Sequence, residues 1–320
     1  MTYRSVIVGT GSYLPQKRIP NQDLPEQLDT THEWIFERTG ICARHVAAPG
    51  EYTSDMAVEA SKRAIEAAGL TPFDIDMIIL ATSTPDHTFP ATATRIQSKL
   101  GMTKGFAFDQ AAVCSGFIFA LATADTYLKQ KMATTALVIG SETMSRILDW
   151  NDRRTAVLFG DGAGAVVLQA QENTDRGIIG SLLRTDGCGY DELYVTGGPS
   201  TTQTTGTIHM NGREVFRHAV NRLGEAVTDI LKIHGISQDE IDWLVPHQAN
   251  KRIIDATAKK LGLPDSKVIH TGADQANTSA ASIPLALDQA VRDGRIQKGD
   301  LVLCEAFAGG FAWGSNLIRM

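Results

Sequence analysis

Only four cysteines, Cys42, Cys114, Cys188 and Cys304, occur in 320 residues, with no CxxC pair and no His-rich neighbourhood. That spacing argues against a zinc site and against a disulfide framework, and it fits a reducing compartment, so a cytoplasmic protein is expected. Long apolar runs are missing. Stretches such as MIILA fall far short of the roughly 20 residues needed to cross a bilayer, and no membrane partner is expected. An excess of positive charge is missing as well: the formal net charge is −6, which leaves any anionic partner to a local basic patch and gives no general attraction to nucleic acid. The opening MTYRSVIVGTGSYLP has no basic region followed by an apolar stretch, so no secretory signal is expected. A dinucleotide fingerprint is lacking too, because FGDGAGAVVL (159–168) spaces its glycines GxGxG and not GxGxxG.

What is present is an ordinary globular composition, 43% hydrophobic and 21% charged, with 29 glycines that promise many tight turns. The length suggests about two domains. Short apolar runs (MIILAT, ALVIGS, AVVLQA, WLVPHQ, LVLCEA) alternate with helix-patterned segments such as SDMAVEASKRAIEAAG, the rhythm of an α/β protein with buried strands. The chain also resembles itself. AAGLTPFDIDMIIL (67–80) matches IHGISQDEIDWLVP (233–246) without a gap at a shift of 166. CSGFIFALATAD (114–125) aligns with NTSAASIPLALD (277–288), and ALVIGSE (136–142) with GDLVLCE (299–305), both at a shift of 163. Two copies of one unit with a small indel are expected, one in residues 1–172 and one in residues 173–320, placing Cys114 opposite Asn277. Chance similarity between amphipathic segments is the alternative.

Cys114 stands between Ala111-Ala112 and Ser115-Gly116, where small residues permit a sharp strand-to-helix turn that exposes the side chain. The following helix would direct partial positive charge at the sulfur and lower its pKa below the usual ~8.5. A thiolate so placed accepts an acyl group from a thioester at little energetic cost. A buried structural cysteine fits the local pattern too; Cys42, Cys188 and Cys304 lack this flanking pattern and are read as structural. His247 directly follows the strand WLVP, at the carboxyl end where loops of α/β sheets hold ligands. On its own it suits a core or surface role equally, and Asn277 suits a helix N-cap.

With these residues in place, the chain resembles the type III β-ketoacyl-acyl-carrier-protein synthases of the thiolase superfamily over essentially its whole length. The motifs are VGTGSYLP, THEWIFERTGI (31–41), FPATATRIQSKLG (89–101), the cysteine segment, FGDGAGAVVL, VPHQANKRIIDATAKKLG (245–262), ANTSAAS (276–282) and EAFAGGFAWGS (305–315). The resemblance implies a five-layered α-β-α-β-α fold from two thiolase-like halves, in a homodimer. It implies a catalytic triad of Cys114, His247 and Asn277, with an oxyanion hole from the backbone N–H groups of Cys114 and Gly309. The implied reaction is a decarboxylative condensation of a short acyl-CoA with malonyl-acyl carrier protein through an acyl-cysteine, with no metal and no electron-sink cofactor.

Substrate contacts carry over by position. Trp34 and Arg38 match residues that hold the adenine of CoA, Arg153 and Arg252 those near its nucleotide and phosphates, and Gly212, Phe216 and Asn250 others along the CoA path. Phe89 matches an aromatic that caps the acyl pocket across the dimer interface. Arg217, Gln248, Ala249, Asn250, Lys251, Arg252, Lys259 and Lys260 fall where the family meets its acidic carrier protein. The chain departs from the family at Ala308-Gly309-Gly310, where three glycines are frequent, and at Arg213, where Asn is common. A degradative thiolase is disfavoured because Ala306 and Phe307 precede the late glycine loop and Cys304 lies too early to serve as its second cysteine. A CoA-dependent polyketide or signal-molecule synthase is the nearer rival, and a non-catalytic acyl-binding scaffold the more distant one.

Overall fold

The structure is a computed structural model, and it describes residues 3–320. The chain runs β1 (Tyr3–Tyr13), β2 (Lys17–Pro20), α1 (His32–Thr39), β3 (Ala43–Val46), α2 (Thr53–Ala67), β4 (Met77–Ala81), α3 (Thr92–Lys99), β5 (Phe106–Gln110), α4 (Gly116–Lys129), β6 (Thr135–Thr143), α5 (Arg153–Ala156) and β7 (Asp161–Glu172). It continues through β8 (Gly177–Thr185), β9 (Leu193–Val195), β10 (Ile208–Met210), α6 (Gly212–His234), β11 (Trp243–Pro246), α7 (Lys251–Lys260), α8 (Gly272–Gln275), α9 (Ser282–Arg292), β12 (Leu301–Ala308) and β13 (Ala312–Arg319).

Two mixed sheets dominate, one ordered β1-β7-β6-β4-β5 and the other β11-β12-β13-β8. Strand alternation sorts the side chains into layers. Met77, Ile79 and Ala81 of β4 join α4, α9 and the inner face of the second sheet in one buried cluster. Ile78 and Leu80 point the other way, towards α2 and α3. The outer face of the second sheet is covered by α6 and α7. The result is the five-layered α-β-α-β-α arrangement of the thiolase fold, with α4 and α9 in the middle. Among the described residues no helix is long and apolar enough to cross a membrane.

The internal repeat is visible in detail, and it corrects the expected alignment. Gly69 and Gly235 both end a helix with positive φ, 67° and 64°, as a left-handed cap requires. Each is followed by a capping box, Thr71 with Asp74 and Ser237 with Glu240. Met77 pairs with Ala136 and Trp243 with Val302, so β6 and β12 are related by 166 residues, not 163. The 3-10 turns Val113–Ser115 and Ser279–Ala281 and the starts of α4 and α9 obey the same offset. Cys114 therefore corresponds to Ala280, and Asn277 lies three residues earlier on the approach to its turn. A slip of three is nearly one helical turn, so it preserves the apolar face and is hard to detect in small-residue segments.

Close backbone approach locks the two copies together. A Cβ on Gly140 of β6 would collide with the Ala280 carbonyl, so only glycine lets the second turn seat against the first sheet. Asn277 is held in the same seam: its N–H donates to Leu158 O at 2.9 Å, and its own carbonyl accepts from Gly160 N at 3.0 Å.

Candidate active site

Cys114 sits in the 3-10 turn between β5 and α4, preceded by Val113 at φ 47°. A β-branched residue in the left-handed region costs ~1–3 kcal/mol and persists where surrounding structure enforces it. Ala276 and Ser279, flanking Asn277, are left-handed as well, at φ 57° and 51°. Ala308 and Ala312, either side of the late glycines, pack against Cys114, which brings the Gly309 segment to the sulfur. At Gly309 a side chain would collide with the Leu193 carbonyl, so the methyl at Ala308 is accommodated while one at Gly309 would not be.

A cavity of about 150 Å³ is lined by Cys114, His247 and Asn277 together. Gly212, Phe216, Ala249 and Asn250 line it as well, and Phe307 and Glu305 form part of its wall. The three side chains named from sequence thus converge, from the first turn, the end of β11 and the second turn.

Local hydrogen bonds set what each can do. The backbone N–H of His247 donates to Glu305 O at 2.8 Å, and its Nδ1 lies 2.6 Å from the Ser282 hydroxyl. Ser282 Oγ also accepts from the Gln248 N–H at 3.3 Å; with the serine proton turned to Nδ1, the imidazole carries its hydrogen on Nε2. Burial pushes the imidazole pKa down to about 3, leaving it neutral. Asn277 Oδ1 accepts from the Ser279 N–H at 2.9 Å, which leaves the amide nitrogen as the end free to donate.

The sulfur departs from expectation. Cys114 is 5% exposed, in the wall of the cavity and away from the protein surface. Burial pushes its thiol up to about 12, with Ser279 opposing the rise and Glu142 adding to it. The resting group is a thiol.

The contacts expected along the CoA path fall on one rim. Arg38 and Arg153 both lie over the Trp34 ring, 4.5 and 5.4 Å from its centroid, and Arg252 lies 5.8 Å from the centroid of Phe216. The Asn250 side chain is already engaged at both ends, capping α7 through Arg252 N and donating to Arg38 O. Phe89 is 83% exposed and does not line the cavity of its own chain, and neither does Arg213. Of the expected docking cations, Arg217 is paired with Glu214 and Lys251 with Asp255, whereas Arg252, Lys259 and Lys260 have no ion-pair partner among the described residues. Gln248 is a correction. It is 2% exposed, its amide donates to Pro246 O and Ile269 O, and its oxygen accepts from Thr271 N and Gly272 N. Four interior hydrogen bonds leave it nothing to offer a docking partner. Cys304 lies buried inside β12, as expected. Ser282 and Glu305 were invisible as site residues in sequence, although both lie within quoted motifs.

Known proteins resemble the chain over its whole length. Residues 108–187 match the family described as 3-oxoacyl-[acyl-carrier-protein] synthase III, and residues 231–320 match its C-terminal counterpart. The chain is 59% identical over 324 residues to a β-ketoacyl-[acyl-carrier-protein] synthase III of Paramagnetospirillum magneticum, covering 100% of both chains. The structure of 3-oxoacyl-[acyl-carrier-protein] synthase III from Aquifex aeolicus superposes with a TM-score of 0.94 at 43% identity, covering 99% of this chain and 100% of that one. The priming β-ketosynthase of the R1128 polyketide pathway superposes at 0.93 with 35% identity, over 99% and 96% of the two chains.

Proposed function

The chain belongs to the β-ketoacyl-acyl-carrier-protein synthase III family, a condensing acyltransferase of fatty acid biosynthesis, and we propose how its residues divide the work. Residues 1–172 supply the sulfur, and residues 173–320 supply the imidazole and the carboxamide. The carrying observation is the shared cavity of Cys114, His247 and Asn277.

In the first half-reaction the Cys114 sulfur attacks the carbonyl of a short acyl-CoA, acetyl-CoA being the expected primer. The backbone N–H groups of Cys114 and Gly309 stabilise the tetrahedral oxyanion. A C–S bond forms to Cys114, the C–S bond to CoA breaks, and the thiol proton leaves with CoA. In the second half-reaction malonyl-acyl carrier protein enters and loses carbon dioxide. Nε2–H of His247 and the amide of Asn277 donate to the developing enolate oxygen, and both are suited because neither bears charge at neutral pH. The enolate carbon attacks the acyl-cysteine, giving 3-ketoacyl-carrier protein and a Cys114 thiolate. Burial makes that thiolate strongly basic, so it takes up a proton and the cycle closes.

Trp34, Arg38, Arg153 and Arg252 form the CoA rim, with Arg38 or Arg153 yielding its place over the indole to the adenine. Gly212, Phe216 and Asn250 frame the way to the sulfur. Arg252, Lys259 and Lys260, flanked by Arg217, Ala249, Asn250 and Lys251, form the face for the acidic carrier. In a homodimer, the exposed Phe89 of each protomer would close the acyl pocket of its partner. The protein needs no cofactor in this scheme, since decarboxylation generates the nucleophile.

Incubation with labelled acetyl-CoA, followed by mass analysis, tests the assignment. Label is expected on the Cys114 peptide, discharged by malonyl-carrier protein and not by malonyl-CoA, and absent in Cys114→Ser. Discharge by malonyl-CoA at equal efficiency would favour a CoA-dependent polyketide-type synthase. His247→Ala and Asn277→Ala are expected to load normally and to stall before decarboxylation; equal loss of both steps would contradict their roles.

A further inference from the structure

Glu305 is the acidic side chain in the wall of the Cys114 cavity. It is 1% exposed, and neither carboxyl oxygen has a hydrogen-bond partner among the described residues. A buried carboxyl without partners is costly, and a fold retains one only where something other than packing requires it. Its backbone does have structural work: Glu305 pairs with Pro246 on one side and Ser315 on the other, and its carbonyl accepts the His247 N–H. An apolar side chain would serve those contacts equally well.

The surroundings hold no countercharge. Cys114, a thiol, and His247, a neutral imidazole, are the titratable groups lining the cavity with it. The helices α6 and α7 turn apolar side chains and Thr257 towards the cavity, β13 opposes it with Ser315, and Cys304 beside it on β12 is a thiol whose own pKa Glu305 helps to raise. Burial alone lifts the Glu305 carboxyl to about 8, so at neutral pH it carries its proton.

A protonated carboxyl in a largely apolar wall has an O–H with no acceptor among the described residues. The substrates of the two half-reactions differ there in one respect: the second bears a carboxylate. We propose that Glu305, as a neutral acid, donates its hydroxyl to the carboxylate of the malonyl group and thereby selects the carboxylated thioester for the second half-reaction. This deepens the condensing-enzyme reading and rests on it. A neutral donor facing an anion makes a charge-assisted hydrogen bond. An ionised Glu305 would instead set two negative charges together in a low-dielectric space. The proton stays on Glu305 throughout, and loss of carbon dioxide removes the acceptor, so the contact does not restrain the enolate.

The test is the KM for malonyl-carrier protein between pH 7 and 9.5 in the wild type, Glu305→Gln and Glu305→Leu, with Cys114 loading by acetyl-CoA followed separately by mass. The wild-type KM is expected to rise about tenfold per pH unit above the Glu305 transition. Glu305→Gln keeps a neutral donor, so its KM should stay within about threefold of the wild-type neutral value and remain flat. Glu305→Leu should show a KM raised about tenfold at pH 7, and also flat. Loading should be unchanged in both variants, and kcat should not fall in Glu305→Leu, since the contact is made to a carboxylate that departs in the chemical step. An alkaline rise that persists in Glu305→Gln, a wild-type KM in Glu305→Leu, or a loading defect in Glu305→Gln would each overturn the proposal. If Glu305→Leu fails to load, the Glu305→Gln profile decides. A wild type that loads Cys114 yet consumes no malonyl-carrier protein would refute the condensing-enzyme reading itself.

Discussion

His247 Nδ1 and the Ser282 hydroxyl lie 2.6 Å apart, a contact that holds the ring proton on Nε2 when the serine donates. Ser282→Ala removes it and releases the imidazole to its other tautomer. The decarboxylation step is expected to slow about tenfold, the kinetic equivalent of one ordinary hydrogen bond. Acyl loading of Cys114 should stay as in the wild type. Imidazole 15N shifts would report a mixed tautomer in the variant; a single Nε2–H signal would show that the serine does not set it.

Trp34 carries two guanidinium groups over its ring, an arrangement suited to exchange one of them for a flat heterocycle. Trp34→Ala should raise the KM for acetyl-CoA by about tenfold, since base-on-aromatic stacking contributes ~1–3 kcal/mol. The rate with an acetyl-pantetheine lacking the nucleotide should be unchanged. A uniform loss with both donors would place Trp34 in the fold and not in nucleotide binding.

Lys259 is exposed near the end of α7 and has no ion-pair partner among the described residues. Lys259→Glu should raise the KM for malonyl-carrier protein severalfold at low ionic strength and leave acetyl-CoA loading alone. The difference should shrink at about 0.5 M salt, where the screening length falls to a few ångströms. A defect insensitive to salt would argue against electrostatic docking.

Two buried groups shape stability against pH in opposite senses. The Glu305 carboxyl is raised from 4.5 to about 8, so the fold binds its proton more tightly than the unfolded chain does; its contribution is complete below 4.5 and is lost as pH rises through 8. The His247 imidazole is lowered from 6.5 to about 3, so its contribution is complete above 6.5 and is lost as pH falls towards 3. Glu305→Gln should therefore lose less melting temperature than the wild type between pH 6 and 9, and more between pH 6 and 4, where the wild type gains the Glu305 contribution as that of His247 fades. Thermal melts across that range check both arms.

Much of this architecture was legible in the sequence. The strand runs and the repeated Gly-turn-strand unit rest on local patterning, which the chain displays openly; Cys114, His247 and Asn277 stand out weakly one by one, and the family resemblance joins them as a triad. What stayed hidden was set by distance. Ser282 acts on a residue 35 positions away, and nothing in SAAS distinguishes a hydroxyl that orients a histidine from one that begins a helix. Gln248 sits beside His247 in a polar segment, yet folding turns it inward to bond Ile269, Thr271 and Gly272. The helix start after Cys114 foretold a lowered pKa, but the walls from β12 and α6 decide how dry the site is. The repeat was read three residues out of step in its second part because small and apolar residues fit both registers.

The carboxamide of Asn277 owes its position to two main-chain bonds reaching Leu158 and Gly160, across the boundary between the copies. Cys114 hangs on neither of them. Gentle warming that loosens this stitching ahead of global melting would leave a catalyst still able to accept its primer and unable to extend it, stranded halfway through its cycle with the acyl cargo aboard.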